Sequence, residues 1–177
     1  MNTNDCKTIL YIAMSQDGFI AGENDDISFL DPFQTEGEDY GYNDFIQSVG
    51  AILVGRKTYE KVIGMGYPYH PNLPVYVITR KPAVSKSENL IFCNNELHSL
   101  ITQLKRSQPK NIYCDGGAEL ANSLIEKKLI DYIILSVIPT KLHRGIPLFT
   151  NGIVPSEFSL KTTKSYQNGL IQYTYEI

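Results

Sequence analysis

The sequence predicts α/β units that close with an antiparallel ribbon. Three observations carry this: short, wholly apolar runs of branched residues, strand-to-helix junctions marked by glycine, and two alternating segments around Asn168-Gly169 at the end of the chain. A continuous apolar run suits a strand covered on both faces of a parallel sheet, whereas alternation around Asn-Gly marks a hairpin. With 177 residues and 42% hydrophobic content the chain is long enough for one full core and short for two, so one domain over residues 1–177 is expected.

Residues 8–15 (TILYIAMS) read as the first strand, Gln16-Asp17-Gly18 as a turn, and residues 19–21 as its resumption. Residues 22–37 break into a polar loop containing Pro32, long enough to suggest a functional or mobile segment. Residues 39–48 place Tyr42, Phe45, Ile46 and Val49 at helical spacing. Residues 51–54 (AILV) form an inner strand ended by Gly55, and a helix follows over about 57–63. Arg56 and Lys57 therefore fall in or beside the first helical turn, where free amides and the macrodipole favour anions. This stretch reads either as an anion site completed by Thr58 or as a solvated turn with two ordinary bases.

A Gly- and Pro-rich connection (GMGYPYHPN) leads to a strand over 75–79, closed by Arg80-Lys81-Pro82. A short strand over 90–93 precedes an amphipathic helix over 96–106 with Leu97, Leu100, Ile101 and Leu104 on one face. The strand at 111–114 runs into Asp115-Gly116-Gly117-Ala118-Glu119 and a helix over 119–127. This second glycine-bearing junction changes the weighing, because adjacent glycines let backbone approach a ligand closely. Two such turns and an Arg at a strand end favour a pyrophosphate-containing nucleotide, although GxGxxG, GxxxxGK and GxSxG are all absent from the sequence. Residues 132–138 form another inner strand, 139–145 a basic loop, and 158–166 and 170–177 the hairpin.

Net charge is −3, which argues against nucleic acid or an anionic membrane as partner. Between Lys7 and Arg56 there is no base, while Glu23, Asp25, Asp26, Asp31, Glu36, Glu38, Asp39 and Asp44 fall there, so acidic and basic functions are expected on different walls of one cleft or as a solvated acidic loop. Cys6, Cys93 and Cys114 fit reduced thiols, His70, His98 and His143 form no local ligand pair, and no metal is expected. A soluble cytoplasmic protein is expected, with no leader and no membrane span.

The order of AMSQDGFIA (13–21), SVGAILVGRKTYE (48–60), VYVITR (75–80), DGGAEL (115–120) and DYIILSVIPTKLHRGIPLF (131–149) resembles the dihydrofolate reductase superfamily. Within it the sequence is most similar to the reductase domain of bifunctional riboflavin-biosynthesis enzymes, the RibD C-terminal domain, and to small stand-alone proteins built on it. The resemblance implies a three-layer αβα fold, a mixed and mostly parallel sheet with a C-terminal antiparallel hairpin, and NADPH laid across the carboxyl ends of the strands. It implies that Gly55, Arg56, Lys57 and Thr58 hold the pyrophosphate, and that Thr79 and Arg80 lie at the adenosine 2′-phosphate, where a planar guanidinium suits bidentate contact. Gly116, Gly117, Ala118 and Glu119 resemble the diglycine turn beside the cofactor, often joined by a cis peptide, and Ala13, Ile20 and Ala21 the surroundings of the nicotinamide. Asp17 and Ser136 resemble substrate contacts. Asp39 lies at the ungapped distance from Gly55 of the family's helix-borne catalytic carboxylate, while a small gap would place Gly41 there or bring Asp44 near. GRKTY departs from the GAGT-like turn common in this branch, and His143 and Arg144 are the candidate bases for a substrate phosphate. The implied activity is NADPH-dependent hydride transfer to a heterocyclic or ribosylamino-pyrimidine small molecule. The alternatives are reduction of dihydrofolate or another small molecule, or NADP binding without turnover. Homodimerisation is implied by the resemblance alone.

Overall fold

The computed structural model describes residues 6–67, 69–81, 83–85, 87–149 and 154–177; Pro68 and Pro82, read above as parts of two connections, lie outside them. The strands are β1 (Thr8–Ser15), β2 (Phe19–Ala21), β3 (Val49–Gly55), β4 (Val75–Ile78), β5 (Leu90–Cys93), β6 (Asn111–Gly116), β7 (Tyr132–Ile138), β8 (Ile146–Pro147), β9 (Ser159–Ser165) and β10 (Ile171–Glu176). The helices are α1 (Tyr42–Gln47), α2 (Arg56–Gly64), α3 (Leu97–Ser107) and α4 (Ala118–Glu126).

Eight strands form one sheet in the order β5-β4-β3-β6-β1-β7-β10-β9. The run from β5 to β7 is parallel, and β10 and β9 add antiparallel to it. The inner strands β3 and β4 carry no charged or amide side chain, as suits strands with helices over both faces. Alternation sends Leu10, Leu53, Ile112 and Cys114 into one core with Leu100, Ile101 and Leu104 of α3 and Leu120 and Leu124 of α4. It sends Ile9, Ile52, Val54, Val75 and Tyr113 into a second core with Phe45 of α1. Tyr59 of α2 packs on that same side. The result is the expected three-layer arrangement, with α3 and α4 on one face and α1 and α2 on the other.

Local signals explain the ends. The Glu96 carboxylate accepts the Ser99 amide at 2.9 Å and starts α3. Gly169 takes a left-handed φ of 86° in the hairpin turn, where the Tyr166 amide donates to the Leu170 carbonyl at 2.9 Å. Two expectations differ. The loop expected over 22–37 contains two 3₁₀ turns, Glu23–Asp25 and Ser28–Phe33, and the second buries Phe29 against Ile138 and Leu170. The short strand β8 was not expected; it pairs with β2 in a separate ribbon, so β2 leaves the main sheet.

Candidate functional site

The carboxyl ends of β3, β4 and β6 lie side by side: Val54 pairs with Gly116 and Gly55 with Ile78. α2 and α4 begin there, at Gly55 and Gly117, and neither start carries a side-chain cap. Their first-turn amides therefore remain outside the helical ladder and offer a positive edge to an anion. The two starts are tied together, because the Gly117 amide donates to Thr58 Oγ1 at 2.9 Å. A Cβ on residue 117 would lie only 2.7 Å from that oxygen, so the junction requires glycine. The Gly116-Gly117 peptide is cis.

The bases expected at this edge are present with different engagements. Arg56 pairs with Glu60 one turn along its own helix at 2.7 Å, and Arg80 meets Glu119 at 3.4 Å with side chains 95% and 79% exposed. Such solvated pairs are worth about 0–1 kcal/mol, so a phosphate can compete for either guanidinium. Lys57 is exposed and has no ion-pair partner among the described residues. Uncapped amides, a glycine-only close approach and three exposed or half-exposed cations fit the phosphates of a dinucleotide. Two of the expected cofactor contacts have internal partners. Thr79 is buried and its hydroxyl is occupied by the backbone of Lys81, so it shapes the turn that presents Arg80. Glu119 is the Arg80 partner, and its negative charge suits the start of α4 rather than an incoming phosphate.

Ala118 is the first residue of α4, beside the diglycine. Ala13 lies opposite Ser136 across β1 and β7, and Ile20 packs into the α3/α4 core. Ala21 is buried, and its carbonyl runs so close to Gly145 that a Cβ there would approach to 2.0 Å. Asp17, expected as a substrate contact, brackets two loops. It accepts the Ser15 hydroxyl at 2.6 Å and the amides of Leu142 and His143 at 3.1 and 2.8 Å. Burial pushes its carboxyl up, but these three bonds outweigh that and bring its pKa to about 2. Asp39 likewise serves the backbone. It accepts the amides of Asn43 and Gly41 at 2.9 Å each, stands exposed, and is held below its ordinary pKa by those bonds, so it starts α1 and has no proton to give at neutral pH. His143 and Arg144 line a surface cleft with Glu23 and Asp26.

The sheet face below α1 and α2 carries polar groups not singled out from the sequence. Asp115, one residue before the diglycine, accepts the hydroxyls of Tyr113 and Tyr69 at 2.6 Å each. Burial raises its carboxyl above the ordinary value, against those two bonds and the nearby His70. Burial and the Asp115 charge push Tyr69 upward in turn and Tyr42 to about 12. Tyr42 hydrogen-bonds His70 Nε2 at 2.9 Å and meets Tyr11 edge-on at 5.7 Å. Further across, Gln172 Nε2 reaches Tyr11 Oη, the Tyr40 carbonyl and buried Ser136 Oγ, each within 3.1–3.2 Å. Strand alternation contains the missing signal: Asp115 follows Tyr113 by two, so the carboxylate enters the covered face of an inner strand at its carboxyl end.

Residues 7–172 match the RibD C-terminal domain. The Bacillus subtilis (strain 168) protein YwjB, described as uncharacterized, is 41% identical over 162 residues, covering 90% of this chain and 92% of its own length. A solved chain from Shewanella sp. PV-4 superposes with a TM-score of 0.84 at 24% identity, covering 96% of this chain and 98% of that one. A diaminohydroxyphosphoribosylaminopyrimidine deaminase/5-amino-6-(5-phosphoribosylamino)uracil reductase from Thermotoga maritima gives 0.70 at 15% identity, with 97% of this chain over 56% of that one. These likenesses establish the dihydrofolate reductase-like fold of the riboflavin-biosynthesis reductases, and the match over nearly the whole sequence establishes that this chain belongs to the RibD C-terminal domain family.

Proposed function

We propose that the protein is an NADPH-dependent reductase of a small heterocyclic compound, of the riboflavin-biosynthesis reductase type. The observation that carries this is the Thr58–Gly117 bond, which fixes two uncapped helix starts side by side at neighbouring strand ends with Asp115 immediately behind them. The amides of α2 and α4, Lys57 and the exposed guanidinium of Arg80 hold the phosphates. When bound, NADPH supplies a hydride to an electrophilic carbon of the acceptor and becomes NADP⁺. The adjoining acceptor atom then takes one proton. Asp115 is the group placed to hold that proton, because burial favours its neutral form and Tyr69 connects it to the outer loop. Ser136 and the Tyr40 carbonyl, both held by Gln172 Nε2, lie across the same face.

Titration with NADPH, read by nicotinamide fluorescence, tests the cofactor. Saturable binding is expected, weakened about tenfold in Lys57→Ala and in Arg80→Ala, which corresponds to about 1.4 kcal/mol. Arg80→Ala is expected to leave NADH binding unchanged. Absence of saturable binding of NADPH and NADP⁺ overturns the proposal; binding without oxidation across a heterocycle panel replaces it with a nucleotide-binding protein that does not turn over.

A further inference from the structure

Taking the reductase reading as given, we infer that Tyr69 is a positioning residue of the acid: its hydroxyl stands where the acceptor must reach Asp115, and its side chain swings away to admit the acceptor. Both carboxyl oxygens of Asp115 are occupied, Oδ1 by Tyr113 Oη and Oδ2 by Tyr69 Oη, at 2.6 Å each. A contact this short leaves no room for a third atom between the partners, so an acceptor reaches the carboxyl only by replacing one of the phenols.

The two phenols are not equivalent. Tyr113 precedes Asp115 by two on β6, a strand flanked by β3 and β1, and it is 5% exposed with Phe45 edge-on at 5.1 Å. It cannot leave without opening the second core. Tyr69 comes from the connection after α2 and retains exposed surface, its ring nearly parallel to that of Tyr59 with centroids 5.8 Å apart. Oδ2 is therefore the replaceable side. The connection has other anchors and does not need the Tyr69 hydroxyl to stay in place. Asn89 Nδ2 donates to the carbonyls of His70 and Leu73 at 3.3 Å each, His70 Nε2 and Tyr42 Oη bond at 2.9 Å, and Leu73 packs on the second core. With the backbone pinned by these, the Tyr69 side chain changes rotamer while the turn remains. In the protonation step the Asp115 Oδ2–H bond breaks, the proton passes to the acceptor atom and the electron pair stays on the carboxylate. The returning Tyr69 hydroxyl donates to that carboxylate, and a proton from solvent restores the acid.

Access to Asp115 is read by labelling the full chain with a water-soluble carbodiimide and glycine ethyl ester, followed by peptide mass spectrometry, with no nicotinamide or acceptor present. Tyr69→Phe keeps the ring and removes the hydroxyl, and Asp115 is expected to label about tenfold faster than in wild type, the release expected from one lost hydrogen bond. Tyr113→Phe removes the other bond and should stay within about twofold of wild type, because the inner ring remains packed. Wild-type Asp115 should label slowly with its circular dichroism unchanged. Equal rates in the three proteins overturn the inference, as does Tyr113→Phe labelling as fast as Tyr69→Phe, or labelling of wild type only when the dichroism of the sheet is lost. With a compound that the heterocycle panel shows to be reduced, Tyr69→Phe should lower the acceptor KM about fivefold or more and change kcat by less than about twofold, because no hydroxyl competes for Oδ2. A merely structural role would raise KM or lower kcat, and that result also overturns the inference. The labelling uses no nicotinamide, so its failure leaves the reductase reading standing, whereas loss of NADPH binding sinks that reading separately.

Discussion

Replacing Gly117 by alanine tests the junction on which the cofactor site depends. The backbone there has φ −46°, so alanine meets no left-handed penalty, and the cost must come from contact. The added Cβ would lie 2.7 Å from Thr58 Oγ1, about 0.7 Å inside ordinary contact. Either Thr58 rotates away and abandons its 2.9 Å bond from the Gly117 amide, or the two helix starts separate. Loss of the bond costs about 1 kcal/mol and overpacking about 1–3 kcal/mol, partly offset by about 0.4–1 kcal/mol from the stiffer unfolded chain. A net destabilisation of about 2 kcal/mol is expected in urea unfolding, with NADPH affinity reduced about tenfold. Thr58→Ala removes the oxygen that clashes. In that background Gly117→Ala should be neutral or slightly stabilising, giving a coupling of about 2 kcal/mol in a double-mutant cycle. Thr58→Ser retains the oxygen and should give no relief. Additivity within about 0.5 kcal/mol would refute the reasoning, because the contact would then not be the source of the cost.

Asp17→Ala is expected to destabilise by about 2 kcal/mol at neutral pH through loss of the bonds from Ser15, Leu142 and His143. The native carboxyl titrates near 2 against 3.8 for the ordinary group, so its contribution is complete above about 4 and disappears as pH falls towards 2; the gap between wild type and variant should close over that window in acid unfolding. Asp115→Asn should fold and bind NADPH but turn over about 10²-fold more slowly, with loss of the decline in kcat expected of wild type as pH rises through the raised Asp115 pKa. Because the folded state favours the protonated form of Asp115, wild-type stability should also fall as pH rises from the ordinary carboxylate range, and Asp115→Asn should abolish that slope. A variant that retains the wild-type kcat profile removes Asp115 from the chemistry.

The sheet was legible because its signal is local. Runs such as residues 51–54 and 132–135 are apolar without alternation; the first lies inside the parallel part of the sheet and the second on the strand that borders its antiparallel end. Gly55 and the 116–117 pair were legible for the same reason, since a glycine between a strand and a helix has few other uses. Side-chain engagement was not. Whether Arg56 reaches outward or along α2 depends on Glu60 one turn away, and whether Asp39 gives a proton or starts a helix depends on amides its own turn brings to it. The role of Asp17 was hidden by a longer separation, because its amide donors come from the loop that follows β7.

The acceptor side of the proposed reductase depends on pairings that only the sheet order creates. Asp115 ends β6, Tyr11 sits on β1, Ser136 on β7 and Gln172 on β10, four strands adjacent in space and scattered in sequence. The loop carrying Tyr69 and His70 then closes over Asp115 from beyond α2. The division of labour follows from this topology. On the proposed reading the strand ends supply glycines, helix starts and cations, which would recognise phosphate whatever it is attached to, so the donor is the part that three short motifs suggest. The sheet face supplies phenols and one buried carboxylate whose meaning depends on each other, so the acceptor is written in contacts rather than in motifs. A family that retains the edge and varies the face would therefore keep its cofactor while changing its substrate, and Asp115 with its two tyrosines is where that change would be tested first.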